Sequence, residues 1–369
     1  MDIESDDRRE TTDSDDRRTS RIVRRHYISM IALAYAMTVV PAWSSSYACG
    51  EQPRYPGSAG VSATSDAADA TDSRRADDLS SCEGHRGDLI SALVKLTVAT
   101  ALLVVSFFDL QGSDPGFISR DLMERLDRAE GGESRRDAEQ QGFLDSSIGG
   151  NGELGSDSND GHGRIPQLYP HTRRKRCEIC GISPPLRSHH CRVNRRCVAT
   201  FDHHCGFLNT CIGERNHFRF WLFVGLNLVC SHGAMGILAS RYRIRGGVWL
   251  AINVASRLYV GFILLSAALL WIIHTVIAVS NVTTFEMTKG TDIDYLRGTK
   301  MFDCPFGRGL CRNLAAFASR DDISKFIRRA RRHHVEDWTP IVWKMPPFIE
   351  RDSPDCWNHP FQNKYWSCC

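Results

Sequence analysis

The chain has 369 residues, with 46 Lys and Arg against 43 Asp and Glu and a formal charge of +3, so charge singles out no partner. A mean hydropathy of −0.29 averages polar tracts such as "SATSDAADATDSRRADDLSS" with apolar runs long enough to reach across a hydrocarbon core, a contrast that excludes an ordinary soluble globule. Six of the 14 cysteines (Cys177, Cys180, Cys191, Cys197, Cys205 and Cys211) fall in one histidine-rich stretch, as metal sites do, which excludes a secreted disulfide framework and reads as reduced and cytosolic.

In chain order, residues 1–26 read as a disordered cytosolic N-terminus in which "SDDRR" occurs twice. The apolar run at 27–47 predicts a first transmembrane helix. A signal sequence is the alternative, and the polar, partly acidic lead of 26 residues is long for one. A polar loop at 48–88 follows, expected on the lumenal or extracellular side. The second span is predicted at 89–110, where Lys95 has to snorkel towards the interface. Residues 111–170 form an expected cytosolic linker that opens on Asp114-Pro115-Gly116 and turns into a disordered Gly-, Ser- and Asp-rich tract.

A cysteine-rich segment occupies 171–219. Beyond it, apolar runs predict spans at 220–241 and 258–280, separated by a short loop at 242–257, each offering the ~20 residues that a helix through ~30 Å of hydrocarbon needs. Residues 281–369 remain as a cytosolic tail. Arginines before the first span, "RRKR" at 173–176 and "IRRARR" after the fourth place both termini and the central segment in the cytosol. "RYRIRGG" between the last two spans argues mildly the other way.

The central segment reads "CEICGISPPLRSHHCRVNRRCVATFDHHCGFLNTCIGERN". The spacing Cys177-x2-Cys180 lets two thiolates of one turn reach the same tetrahedral ion. Cys191, Cys197, Cys205 and Cys211 with His189, His190, His203 and His204 supply more donors than one zinc takes, in loops with little apolar material, so metal is expected to stand in for a core. A plain zinc finger binding nucleic acid is the bland reading, which the position between two membrane spans argues against.

The order C-x2-C, H-C, C, D-H-H-C, C and N-x3-F resembles the cysteine-rich domain of the DHHC protein S-acyltransferases. "DPG" after the second span, "TTFE" (Thr283 to Glu286) after the fourth and "CPFGRGLCRNL" through Asn313 agree with that family's order. The resemblance implies an α-helical polytopic membrane protein. It would have four transmembrane helices and a cytosolic zinc-binding cysteine-rich domain between helices two and three. It implies one zinc held by Cys177, Cys180, His190 and Cys197, and a second held by Cys191, the position of Asn194, His204 and Cys211. Asn194 departs from the cysteine usual there, and its amide oxygen is a poor zinc ligand beside thiolate. Gly206 and Phe207 replace the usual proline and tryptophan, and Thr210 replaces an asparagine.

By the same resemblance, Cys205 takes an acyl group from palmitoyl-CoA or a similar acyl-CoA and passes it to a cysteine of a substrate protein at the cytosolic face, with His203 as base and Asp202 orienting it. The alternative for Asp202 and His203 is a hydrogen-bonded pair that only orients metal ligands. Arg187, Arg192, Arg195, Arg196, Arg215 and Arg219 are candidates to meet CoA phosphates or lipid headgroups. Glu286 and Asn313 are expected to serve structure. The sequon Asn281-Val282-Thr283 is expected to stay bare on the cytosolic side. Cys368 and Cys369 are lipid acceptors or exposed thiols. The expected setting is a multi-pass protein of an endomembrane such as the Golgi or ER, or of the plasma membrane, with lipid, acyl-CoA and substrate proteins as partners and no nucleic acid. The departures at Asn194, Gly206 and Phe207 keep a weakly active zinc-binding scaffold as the alternative function.

Overall fold

The computed structural model describes residues 3–47, 65–128, 175–239, 247–297, 299, 304–320 and 338–344. Residues 48–64 of the expected loop, 129–170 of the expected linker, and Cys368 and Cys369 lie outside them.

Four long helices carry the apolar runs: α1 (Ile3–Tyr47), α2 (Ser65–Gln111), α3 (His217–Ala239) and α4 (Val248–Ser280). Among the described residues, Gly87–Gln111, His217–Ala239 and Val248–Ser280 are long and apolar enough to cross a membrane, which is consistent with an integral membrane protein; α1 falls short of the same measure. Helix extends beyond the expected spans. Residues 3–26 are helical rather than irregular, α2 starts at Ser65 inside the expected loop, and α4 starts at Val248, taking up much of the loop expected at 242–257. Nucleation is the costly step in a helix and each further residue adds a bond, so a formed span extends readily into flanking residues that carry no strong helix breaker. Residues 3–26 contain neither glycine nor proline, and Gly247, at φ 78°, stands just before α4.

The chain divides into two compact units. The first comprises residues 1–112, 206–209 and 219–275. Ala42, Leu89, Leu96, Ile237, Leu238 and Val260 form its buried cluster, drawn from all four helices. Leu258, Phe262, Leu265 and Leu269 of α4 follow one helical face and are more than half exposed, an apolar stripe that water would penalise and hydrocarbon would not.

The second unit comprises residues 113–205, 210–218 and 276–369 and is built on very short strands. β1 (Phe117–Ile118), β2 (His189–Cys191) and β3 (Arg196–Val198) form an antiparallel sheet in the order β1-β3-β2. β4 (His203–Cys205) and β5 (Thr210–Ile212) form a separate hairpin. The start of the expected linker is ordered, because Ile118 and the helical residues Leu122, Met123 and Leu126 bury against Cys197 and Ala199. Asp114 caps the turn into β1, accepting 2.9 Å hydrogen bonds from Gly116 N and Phe117 N, and pairs with Arg215. Gly213 has to be glycine, since a Cβ there would stand 2.6 Å from Val198 Cγ1 and 2.7 Å from Pro115 O. Fully buried Asn216 locks this corner, accepting from Gly213 N and donating to Ser113 Oγ and Cys211 O.

One backbone knuckle occurs three times, starting at Cys177, Cys191 and Cys205, at equal spacing along the chain. Each cysteine pairs antiparallel with the residue five positions on: Cys177 with Ile182, Cys191 with Arg196, and Cys205 with Thr210. The residue four positions on is left-handed each time: Gly181 at φ 69°, Arg195 at 51° and Asn209 at 50°. In the first two, the backbone N–H at the fourth position (Cys180, Asn194) donates to the leading Sγ at 3.4 Å. This repeat is not evident from the cysteine pattern, because the matching fourth positions hold Cys180, Asn194 and Leu208.

Candidate active site and metal centres

The two hairpins assign their histidines by strand alternation, since successive side chains of a strand point to opposite faces. In β2–β3, His190 stands opposite Cys197, and in β4–β5, His204 stands opposite Cys211. His190 Nδ1 lies 3.2 Å from Cys180 Sγ, 3.6 Å from Cys177 Sγ and 3.9 Å from Cys197 Sγ. Zn–S near 2.3 Å and Zn–N near 2.1 Å in a tetrahedron require S to N separations of roughly 3.6 Å. The four donors therefore have the spacing of a single tetrahedral ion.

The second cluster holds Cys191, His204 and Cys211. His204 Nδ1 is 3.8 Å from Cys191 Sγ and 3.5 Å from Cys211 Sγ. A hydrogen bond from Cys211 brings the Cys191 thiol down to about 4, and the same contact together with burial pushes Cys211 up, as for a thiolate and thiol sharing one proton. Every expected ligand among the seven cysteines and histidines thus joins one of two clusters, and the donor sets fit a metal ion, fully in the first and with three donors in the second. Asn194 contributes its backbone N–H to Cys191.

The residues flanking His204 have different surroundings. Asp202, 1% exposed, accepts a 2.7 Å hydrogen bond from His203 Nδ1. Thr284 holds the same carboxylate from α5 (Thr284–Lys289), donating from its backbone N at 2.6 Å and from Oγ1 at 2.8 Å. His217 Nε2 stands 3.8 Å from Asp202 Oδ2. Burial alone would lower the His203 pKa, but hydrogen bonds with Asp202 and Cys205 outweigh it and bring it to about 9. Cys205 is partly exposed and belongs to neither metal cluster. The arrangement offers a thiol beside an imidazole that binds a proton strongly, with the imidazole oriented by a buried carboxylate.

Phe207 and Leu208 at the hairpin tip serve the first unit's packing. Leu208 is fully buried, and Phe207 meets Tyr27 edge-on at 5.3 Å while Tyr27 stacks on Phe107 at 3.8 Å. Gln111 Nε2 donates to Leu208 O at 3.1 Å.

Several arginines expected at an anionic ligand serve the fold instead. Arg187 forms a bidentate pair with Glu286 at 2.7 Å on both arms, bonds Asn281, and packs over the rings of Phe306 and Trp343 at 4.4 and 4.5 Å. Arg215 pairs with Asp114 and packs on Trp338, and Arg219 reaches Asp109 at 3.1 Å. Arg192, Arg195 and Arg196 are exposed, Arg196 over the ring of Phe117. Glu286 also caps α5 reciprocally with Thr283, and Asn313 donates to Val279 O at 2.7 Å, so both act in structure as expected. Asn281 is buried, with its amide donating to Phe306 O at 2.6 Å, so the sequon's acceptor nitrogen is already engaged.

The sequence reading missed Thr284 and His217 as partners of Asp202, although "TTFE" marked the right segment. It also missed Trp343, which donates to Thr200 Oγ1 at 3.0 Å from a stretch with no readable pattern.

Residues 170–291 match the family model described as DHHC palmitoyltransferase. Human palmitoyltransferase ZDHHC12 is 40% identical over 160 residues, covering 42% of this chain and 57% of that protein. Human palmitoyltransferase ZDHHC5 is 30% identical over 188 residues (50% and 24%), and palmitoyltransferase ERF2 of Eremothecium gossypii is 30% identical over 184 residues (48% and 50%). The chain therefore spans about half the length, or less, of these relatives.

Proposed function

We propose, from the match of residues 170–291 to the DHHC palmitoyltransferase family model, that the chain is a protein S-acyltransferase that carries a long-chain acyl group on Cys205. The observation that carries this reading is the position of Cys205: it leads the third knuckle, where the fourth position is Leu208 rather than a ligand, and it hydrogen-bonds with His203, which Asp202 holds.

His203 takes the Cys205 proton, and the thiolate attacks the thioester carbonyl of acyl-CoA. The S–acyl bond to Cys205 forms as the bond to the CoA sulfur breaks, and CoA leaves as a thiol once it regains a proton. A substrate cysteine thiolate then attacks acyl-Cys205, moving the acyl group on and returning the thiol. Both steps exchange one thioester for another, so neither needs an outside energy source. Asp202 fixes the His203 ring and stabilises its protonated form, while Thr284 fixes Asp202.

Zinc is the ion we assign to Cys177, Cys180, His190 and Cys197, and to Cys191, His204 and Cys211. It would supply folding energy to strands of three residues that cannot build a core by burial alone. The membrane arrangement in this reading has four spans, α1 included, with both termini and the cysteine-rich segment cytosolic. The arginines in α1 ahead of its apolar run (Arg17, Arg18, Arg21, Arg24 and Arg25) and the basic stretch at 173–176 support it. Cytosolic or membrane proteins with accessible cysteines are the acceptors.

Incubating the purified full-length protein with labelled palmitoyl-CoA tests the reading. Label releasable by hydroxylamine is expected on the wild type and absent from Cys205→Ser. An unlabelled wild type, or equal label on both, contradicts it.

A further inference from the structure

We propose that the centre at Cys191, His204 and Cys211 holds its metal through three protein ligands and keeps the fourth position open for a small exchangeable donor, water that an anion such as azide can displace. The inference rests on the metal assignment above and not on the transfer chemistry.

The first two knuckles provide an internal comparison. Their backbones share three features: the pairing of first and sixth residues, the left-handed fifth residue, and a 3.4 Å hydrogen bond from the fourth residue's N–H to the leading Sγ. The fourth residue is a thiolate donor in one (Cys180) and an amide in the other (Asn194). The hairpin donors are also the same, histidine opposite cysteine. What differs is one ligand, at a position whose backbone is already shaped to present it.

Among the described residues, the second cluster contains three metal-ligating side chains and the first contains four. Cys191 and Cys211 are buried, whereas Asn194 and His204 are partly exposed. Two thiolates and one neutral imidazole leave a zinc ion neutral overall, where the first centre's three thiolates make it anionic. With three protein ligands, zinc ordinarily completes its tetrahedron with water. An amide oxygen competes poorly for an ion that already has two thiolates. The consequence falls on β4–β5, whose metal clamp would follow the free zinc concentration while the β2–β3 clamp stays loaded.

Cobalt replacing zinc in the full-length protein provides the test. Two cobalt ions per chain are expected. Azide should shift the visible bands of one of them, and a chelator should remove that one at least about tenfold faster than the other, the low end of what losing even an outer-shell partner costs a metal site. Asn194→Cys should abolish the azide shift and slow the fast phase, because the knuckle needs no backbone change to present a thiolate. Asn194→Ala should leave both unchanged. A spectrum altered by Asn194→Ala would make the amide a ligand and overturn the proposal. So would equal release rates, the absence of an azide response, or a single tightly bound cobalt. A chain that binds no cobalt at all would instead defeat the metal assignment itself.

Discussion

Ser188-His189-His190-Cys191 and Asp202-His203-His204-Cys205 are near copies, each the N-terminal strand of a hairpin with the same register. In both, the second histidine faces a cysteine across the hairpin and joins a metal cluster. The flanking residues diverge. His189 sits 4.3 Å from the Phe285 ring and 5.2 Å from that of Phe201, and burial lowers its pKa. His203 is partly buried, yet its hydrogen bonds with Asp202 and Cys205 carry its pKa up to about 9. Cys191 has His204 and Cys211 as neighbours, whereas Cys205 joins no metal-ligating group among the described residues. One backbone thus makes a ligand pair in one place and a candidate nucleophile and base in the other, and the residues that differ are Asp202 in place of Ser188 and Leu208 in place of Asn194.

Removing the shared dependence on metal should have the largest effect. Replacing His190 and Cys197 together by Ala takes half the donors from the first centre, where structural zinc is worth ~10–16 kcal/mol. The expected result is a second unit that no longer unfolds cooperatively and is cut by protease under native conditions. Native-like protease resistance would show that the short strands stand without metal.

Next comes the buried pair of Arg187 and Glu286. Arg187→Met leaves Glu286 buried and unpaired, at a cost of ~3–5 kcal/mol. The thermal midpoint should fall, and adding Glu286→Gln should recover part of the loss, because it removes the stranded charge.

Making the second stretch into the first sharpens the comparison further. Asp202→Ser should slow labelling of Cys205 by ~10²–10⁴-fold, the worth of a positioned acid–base group, while metal content stays at the wild-type value. Labelling at the wild-type rate would reduce Asp202 to packing.

A smaller effect separates the two flanking histidines by pH. His203 binds its proton more tightly folded than unfolded, so its stabilising contribution is complete below about 6.5, the ordinary histidine value, and fades as pH rises to about 9. His189 is shifted the opposite way. Ring resonances followed by NMR should titrate near 9 for His203 and below the ordinary value for His189, and Asp202→Ser should bring His203 down.

The comparison also shows how much could be read in advance. The crowding of cysteine and histidine donors was legible from their spacing, whereas their division between two clusters, and of His203 from His204, followed from the resemblance to the DHHC acyltransferases and not from the spacing. Apolar runs marked the long helices, but their ends were not legible: no glycine or proline stops helix propagation through residues 3–26, and α4 starts at Val248 beyond the apolar core of its span. The fate of Arg187 was hidden for a different reason. Its partners Glu286, Asn281, Phe306 and Trp343 come from distant parts of the chain, and nothing around "PLRSHH" indicates that the charge is buried.

The central claim is that Cys205 occupies a knuckle's ligand position without holding a metal and is therefore free to carry the acyl group. Intact mass spectrometry under native conditions, before and after palmitoyl-CoA, tests both parts in one sample. The account predicts one acyl adduct that maps to the Cys205 peptide, and a Cys205→Ser protein that retains the full wild-type metal complement without the adduct. Loss of metal on replacing Cys205, or an adduct that persists without it, would contradict the account.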